Sequence, residues 1–226
     1  MSILKRILGK KKKKKDRKNY TADSGANWVA TGTFSQRIYA NYEEYVEHQK
    51  SKLRLKRNIQ GDYDQQFADT LADRLPPASK TGGGNSVLCL AARTGGECHA
   101  FVKLGYFPVG VDLNPGEANR FVVVGDFHDL QYADKSVDIV YTNSLDHAFD
   151  LDRIIKEVSR VLKDGALFIA EIIDPAVRGP GKFEAIWWSS IDEVASKIED
   201  RGFVAQRRTP FDFPWQGTQI IFAKAR

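Results

Sequence analysis

The chain has 226 residues, 42% of them hydrophobic and 11% aromatic, enough to bury the core of one α/β domain with a small extension, which excludes wholesale disorder. No apolar run reaches the length of a bilayer-spanning helix, so no integral membrane protein is expected. The net charge of +5 is unevenly spread: residues 1–18 hold ten of the 34 Lys and Arg and one of the 29 acids, so the rest of the chain is mildly acidic, and a nucleic-acid-binding fold with a basic face is disfavoured.

In chain order, residues 1–18 form a basic tail. Ile3, Leu4, Ile7 and Leu8 lie at helical spacing before the Lys10 to Lys15 block. Such a run is either a solvated, disordered segment or a site of transient contact with an anionic membrane surface, worth roughly 1 kcal/mol per basic residue close to that surface. Two cysteines, Cys89 and Cys98, are too few for a disulfide framework. The N-terminus lacks the apolar stretch of a signal peptide. The expected location is therefore cytoplasmic, with the tail leaving open a peripheral place at the inner membrane face.

Residues 19–85 read as a linker and helical extension. From Asn19 to about Phe34 the chain is polar and rich in Gly, Ser and Thr. Tyr42, Tyr45, Val46, Gln49 and Leu53 then recur at helical spacing, and Phe67, Ala68, Leu71, Ala72 and Leu75 form a second helical face stopped by Pro76-Pro77. Residues 81–85, Gly-rich, mark the boundary of the main domain.

Over residues 86–226 the pattern alternates. Strands are predicted at Ser86–Ala91, Phe107–Asp112, Phe121–Gly125, Val137–Thr142 and Ala166–Ile173, mostly continuous Val-, Leu- and Ile-rich runs of the kind buried on both faces of a parallel sheet. Helices are predicted at Glu97–Leu104, around Leu151 to Leu162 and around Ile191 to Ile198. The crossovers on either side of the third strand are too short for a full helix with its turns. Phe203–Arg208 and Thr218–Lys224 read as an antiparallel pair. The predicted fold is α/β: a doubly wound, mostly parallel, seven-stranded Rossmann-like sheet with an antiparallel C-terminal hairpin and an N-terminal helical extension.

Ligands of such sheets sit beyond the carboxyl ends of the strands. Thr94 and Glu97 have capping-box spacing, which places a helix N-terminus where a carboxylate or phosphate is favoured. Asp112 ends the next strand, placed to accept from ribose hydroxyls. A dinucleotide turn wants three glycines where this chain has Ala91, Arg93 and Gly96, so a nicotinamide dinucleotide is disfavoured.

Val87-Leu88-Cys89-Leu90-Ala91-Ala92-Arg93-Thr94-Gly95-Gly96 resembles the first motif of the class I S-adenosylmethionine-dependent methyltransferases. Gly110 to Asn114 is similar to their second motif, Gly125 to Asp138 to their third strand and adenine-side loop, Val140 to His147 to their fourth motif, and Glu157 to Gly165 to the helix before strand five. The likeness runs from about Ser86 to Lys224 and fits best the broad small-molecule group often called type 11. It departs from the family where an acid becomes Cys89 and two glycines become Ala91 and Arg93.

The resemblance implies S-adenosyl-L-methionine as cofactor, held by residues 91–97 with Ala91, Arg93 and Gly95. Asp112 would take the ribose, Asp126 and Phe127 the adenine, and Asn143 would offer its carbonyl to the methionyl ammonium. Arg93 pairs with the methionyl carboxylate in one reading and is a surface arginine in the other. Phe127 is either an adenine contact or core. His147 is a candidate general base beside Asp146, or a structural hydrogen-bond partner. The implied activity is methyl transfer, as O-methylation, to a small-molecule or sugar- or lipid-linked acceptor, with no metal site and no specific nucleic acid. The divergent first motif leaves a catalytically inactive, methyltransferase-like binding protein as the alternative. The loop from Asp174 to Trp188 is expected to form an acceptor wall, with Trp187-Trp188 on a helix or turn.

Overall fold

The computed structural model describes residues 27–56, 60–75 and 84–225. The basic tail of residues 1–18 lies outside them, as does the expectation of a membrane contact. No helix among the described residues is long and apolar enough to cross a membrane.

The main sheet is built from β3 (Ser86–Leu90), β4 (Phe107–Asp112), β5 (Val122–Val124), β6 (Val137–Thr142), β7 (Leu162–Ile173), β9 (Phe203–Phe211) and β10 (Gly217–Lys224). Its order is β5-β4-β3-β6-β7-β10-β9. The pairs from β5 through β7 are parallel, and β10 runs antiparallel to both β7 and β9. This is the predicted seven-stranded, doubly wound sheet with its terminal hairpin. Strand order reverses between β3 and β6, and the crevice at that switch is where a ligand fits.

Alternation along β3 explains the double winding. Leu88 and Leu90 join one apolar layer, with Ile154, Ile155 and Val158 of α4 (Leu151–Val161) and Val194, Ala195 and Ile198 of α5 (Ile191–Glu199). Val87 and Cys89 join the other, with Ala100 and Phe101 of α3 (Gly96–Lys103) and Phe67, Ala68 and Leu71 of α2 (Gln60–Ala72). Each fully buried large side chain, such as Phe101, contributes about 1.5–3 kcal/mol. Asp150 caps α4 through Arg153 N, and Ser190 with Glu193 closes a capping box on α5. No helix fills the short connection between β4 and β5, as predicted.

Part of the segment read as a linker is strand. β1 (Trp28–Thr31) and β2 (Phe34–Arg37) form a hairpin, and β2 pairs antiparallel with β8 (Ile186–Trp188) to make a three-stranded sheet. The partner of β2 lies some 150 residues downstream, so local patterning could not reveal it. The expectation of a helix or turn at Trp187-Trp188 is corrected by the same pairing. Both indoles are buried, stacked 5.5 Å apart at 6°, and Trp188 Nε1 donates to Ile173 O at 3.0 Å.

Arg37 of β2 fastens the loop that precedes β8. Its Nε donates to Glu184 O at 2.8 Å, its Nη2 to Gly181 O at 2.9 Å, and its backbone N to Ala185 O at 2.8 Å. α1 (Tyr42–Lys56) follows that hairpin and crosses the carboxyl rim of the main sheet, with Tyr45 OH donating to His147 O at 3.0 Å.

Candidate functional site

A cavity of about 470 Å³ opens at the carboxyl ends of β3, β4 and β6. One half is walled by the loop after β3 and the ends of β4 and β6. Ala91 and Arg93 both adopt left-handed backbone, with φ of 52° and 47°, and Gly95 has φ of 92°. That path aims Arg93 N at Asp112 Oδ2, 2.9 Å away, while Asp112 Oδ1 accepts from Asn114 N at 2.8 Å. A carboxylate has about four acceptor sites, so Asp112 joins two loops and keeps acceptor capacity toward the cavity it lines.

Deeper in this half, Glu97 is buried and its Oε1 accepts from Asn143 Nδ2 at 3.1 Å. Asn143 Oδ1 accepts from Ser144 Oγ at 2.9 Å, which fixes the amide's orientation. Glu97, Asn143, Val111, Leu113 and Phe127 all line the cavity. The half thus offers a ribose-type acceptor, an acid beside an amide, and apolar walls.

The other half is bounded by α1, the single 3-10 turn Leu145–His147 after β6, and the loop before β8. His147 Nδ1 lies 2.8 Å from Phe183 O and Nε2 lies 2.7 Å from Lys52 Nζ. A carbonyl oxygen only accepts, so Nδ1 carries the proton and Nε2 accepts from Lys52. Gln49 Nε2 also donates to Phe183 O, at 2.8 Å, tying α1 to the same carbonyl. Arg178 Nη2 sits 3.1 Å from Glu184 and 3.8 Å from Asp146.

Burial, and then the charge of Glu184, push the Asp146 carboxyl up to about 7 against the opposing pull of Lys52 and Arg178. Glu184 goes the other way. Burial works against its ionisation, but neighbouring basic side chains, Arg178 and Lys52 among them, outweigh it and hold it below its usual range. The two carboxyls therefore have opposite tendencies at neutral pH. Among the described residues no group of three His, Cys, Asp or Glu is placed to hold a metal ion.

Residues 88–170 match a family described as a methyltransferase domain. A curated relative, sterol methyltransferase-like 2 of Botryococcus braunii, is 29% identical over 114 residues, which are 41% of this chain and 29% of that protein. This chain therefore matches under a third of that relative's length. Among solved structures, the 1,6-didemethyltoxoflavin-N1-methyltransferase of Burkholderia thailandensis, which holds 1,6-didemethyltoxoflavin and S-adenosylhomocysteine, is similar with a TM-score of 0.64 and 16% identity, covering 89% of this chain and all of that one. An S-adenosylmethionine-dependent methyltransferase from Archaeoglobus fulgidus is similar with a TM-score of 0.61 and 15% identity, covering 76% and 99%. Residues 88–170 thus match a methyltransferase domain, on a fold shared with solved S-adenosylmethionine-dependent methyltransferases.

Of the expected site residues, Ala91, Arg93, Asp112, Phe127, Asn143, Asp146 and His147 are brought together around this cavity. Phe127 both lines the cavity and joins the core. Gly95 and Asp126 are not in the cavity wall. Gly95 is the N-cap of α3, packed so that a Cβ would meet Val122 Cγ2 at 3.2 Å. Asp126 Oδ2 accepts from Tyr42 OH, and Oδ1 accepts from His128 N at 2.8 Å and from the His128 ring at 2.9 Å.

The helix start expected at Thr94 falls one residue later, with Gly95 as the N-cap of α3. α3 begins at Gly96, and the Glu97 carboxyl of its first turn accepts from Asn143 Nδ2 in the cavity wall. Sequence reasoning missed Tyr45, Gln49 and Lys52 as wall residues, while Arg178 and Glu184 line the cavity from the loop expected to form an acceptor wall. Tyr45, Gln49 and Lys52 do share one helical face, a polar and aromatic stripe that was the available signal.

Proposed function

We propose that the protein transfers the methyl group of S-adenosylmethionine to a hydroxyl oxygen of a small-molecule acceptor. The observation that carries this is the Asp112 carboxylate, tied to the first-motif loop through Arg93 N and facing the cavity. When bound, the cofactor supplies an electrophilic methyl group on a sulfonium. Asp112 holds the ribose hydroxyls, and Val111, Leu113 and Phe127 flank the adenine. Glu97, backed by Asn143, receives the methionyl ammonium and takes over from the acid replaced by Cys89. Arg93, in the cavity wall, would pair with the methionyl carboxylate.

The protein's part in an in-line displacement is alignment and exclusion of water. The acceptor's hydroxyl proton needs a base, and Asp146 suits that role with a carboxyl displaced toward neutrality. His147 Nε2 is engaged by Lys52, so His147 acts in positioning instead. Because the left-handed backbone of Ala91 and Arg93 in the first-motif loop is an observation that favours a silent relative, the test addresses both readings.

Calorimetric titration of the full chain with S-adenosylmethionine, S-adenosylhomocysteine and NAD separates them. Heat with both sulfur nucleosides and none with NAD supports the enzyme. No heat with either from folded protein rejects it.

A further inference from the structure

Lys52 reaches the acceptor half from α1, and Arg178 and Lys182 reach it from the loop before β8. Two carboxyls, Asp146 and Glu184, stand among these three bases, and Arg178 is directly engaged with both. A bound sulfonium would add one more positive charge facing this space. A cationic acceptor is repelled here, and an anionic one completes the balance of charge in a partly desolvated pocket.

His147 determines where Lys52 points. With Nδ1–H on Phe183 O, the ring is held in one orientation and its Nε2 lone pair accepts a hydrogen bond from the Lys52 ammonium. Phe183 O is itself shared with Gln49, one helical turn before Lys52 on α1. The chain Phe183–His147–Lys52 thus fixes a flexible side chain at the cavity wall, and that pre-organisation lowers the entropic cost of using it.

We propose that the acceptor carries an anionic group, a carboxylate or a phosphate, received by Lys52 with support from Arg178 and Lys182, and that His147 is the positioning residue for Lys52. The location of the acceptor rests on the methyltransferase reading.

The experiment titrates the full chain, with and without saturating S-adenosylhomocysteine, with 4-hydroxybenzoate, phenyl phosphate and the neutral 4-hydroxybenzamide. At least one anion is expected to bind about tenfold or more tightly than the amide, with affinity that falls as salt rises. Whether the carboxylate or the phosphate leads identifies the group. Lys52→Met should abolish the preference and Lys52→Arg restore it. His147→Gln, which can still donate to Phe183 O and accept from Lys52, should keep it, while His147→Phe should lose it.

Equal binding of amide and anions, binding of neither anion, or an unchanged preference in Lys52→Met overturns the proposal. The heat with S-adenosylhomocysteine is read separately. Its absence rejects the methyltransferase reading, while the Lys52-dependent preference is still measured in the nucleoside-free arm.

Discussion

The backbone N–H of Arg93 donates to Asp112 Oδ2 at 2.9 Å, joining the loop after β3 to the end of β4. The same carboxylate holds Asn114 N at 2.8 Å. Asp112→Ala removes both bonds and the acceptor assigned to the ribose. Affinity for S-adenosylhomocysteine should fall at least about a hundredfold, roughly 3 kcal/mol, since hydrogen bonds to a charged group are worth about 1.5–3 kcal/mol each. Calorimetry on the variant checks this, and an unchanged affinity means the ribose is held elsewhere.

Ala91 and Arg93 place Cβ-bearing residues in left-handed backbone. That conformation costs an L-residue roughly 1–2 kcal/mol, more than the ~0.4–1 kcal/mol by which glycine loosens the unfolded chain. Ala91→Gly should therefore stabilise the fold by up to about 1 kcal/mol, seen as a higher urea midpoint with an unchanged slope. Arg93→Gly should stabilise similarly yet weaken S-adenosylhomocysteine binding, because it deletes the guanidinium assigned to the methionyl carboxylate. Destabilisation by Ala91→Gly would show that the loop is not strained.

The main sheet was legible because its information is local. β3, β4, β6 and β7 are apolar runs, and α4 and α5 announce themselves by periodicity and by the caps Asp150 and Ser190. The small sheet was not, since β2 finds its partner in β8 across most of the chain. The site divides the same way. Asp112 and Asn143 follow strands and could be placed by motif, whereas Glu97 looked like a cap. Lys52 looked like one base in the basic half of a helix. Their roles come from contacts with Asn143 and His147, which no spacing encodes.

Asp146 gives a pH dependence with a defined sign. Its carboxyl is pushed from the ordinary 3.8 up to about 7, by burial and then by Glu184. Between these values the folded protein keeps a proton that the unfolded chain has released. Its stabilising contribution is therefore full below about pH 4 and lost as pH rises through 7. Asp146→Asn should match the wild type near pH 4 and flatten this decline above it, measured by urea unfolding across the range. Turnover should rise through about pH 7 in the wild type and lose that rise in the variant; an unchanged profile would remove Asp146 as the base.

Tyr42 anchors α1 to the loop after β5. Its hydroxyl donates to Asp126 Oδ2, and His128, whose Nε2 accepts from Phe149 N and Asp150 N at 3.1 and 3.2 Å, turns its Nδ1–H to the other oxygen. Burial opposes ionisation of Asp126, but the bonds from His128 and Tyr42 prevail and lower its pKa. Tyr42→Phe should cost about 1–3 kcal/mol at neutral pH. The loss should shrink in acid, because the Asp126 contribution is present above the ordinary carboxylate range and disappears as pH falls through its lowered value. Denaturant melts at pH 7 and pH 3 test this; equal losses at both would show that the hydroxyl acts independently of the carboxylate.

The most direct measurement is a crystal structure of the full chain grown with saturating S-adenosylhomocysteine. The account predicts ribose hydroxyls on Asp112, the ammonium between Glu97 and Asn143, and the sulfur facing the space bounded by Asp146 and Lys52. A nucleoside bound anywhere else, or this cavity free of it at saturation, would contradict the account.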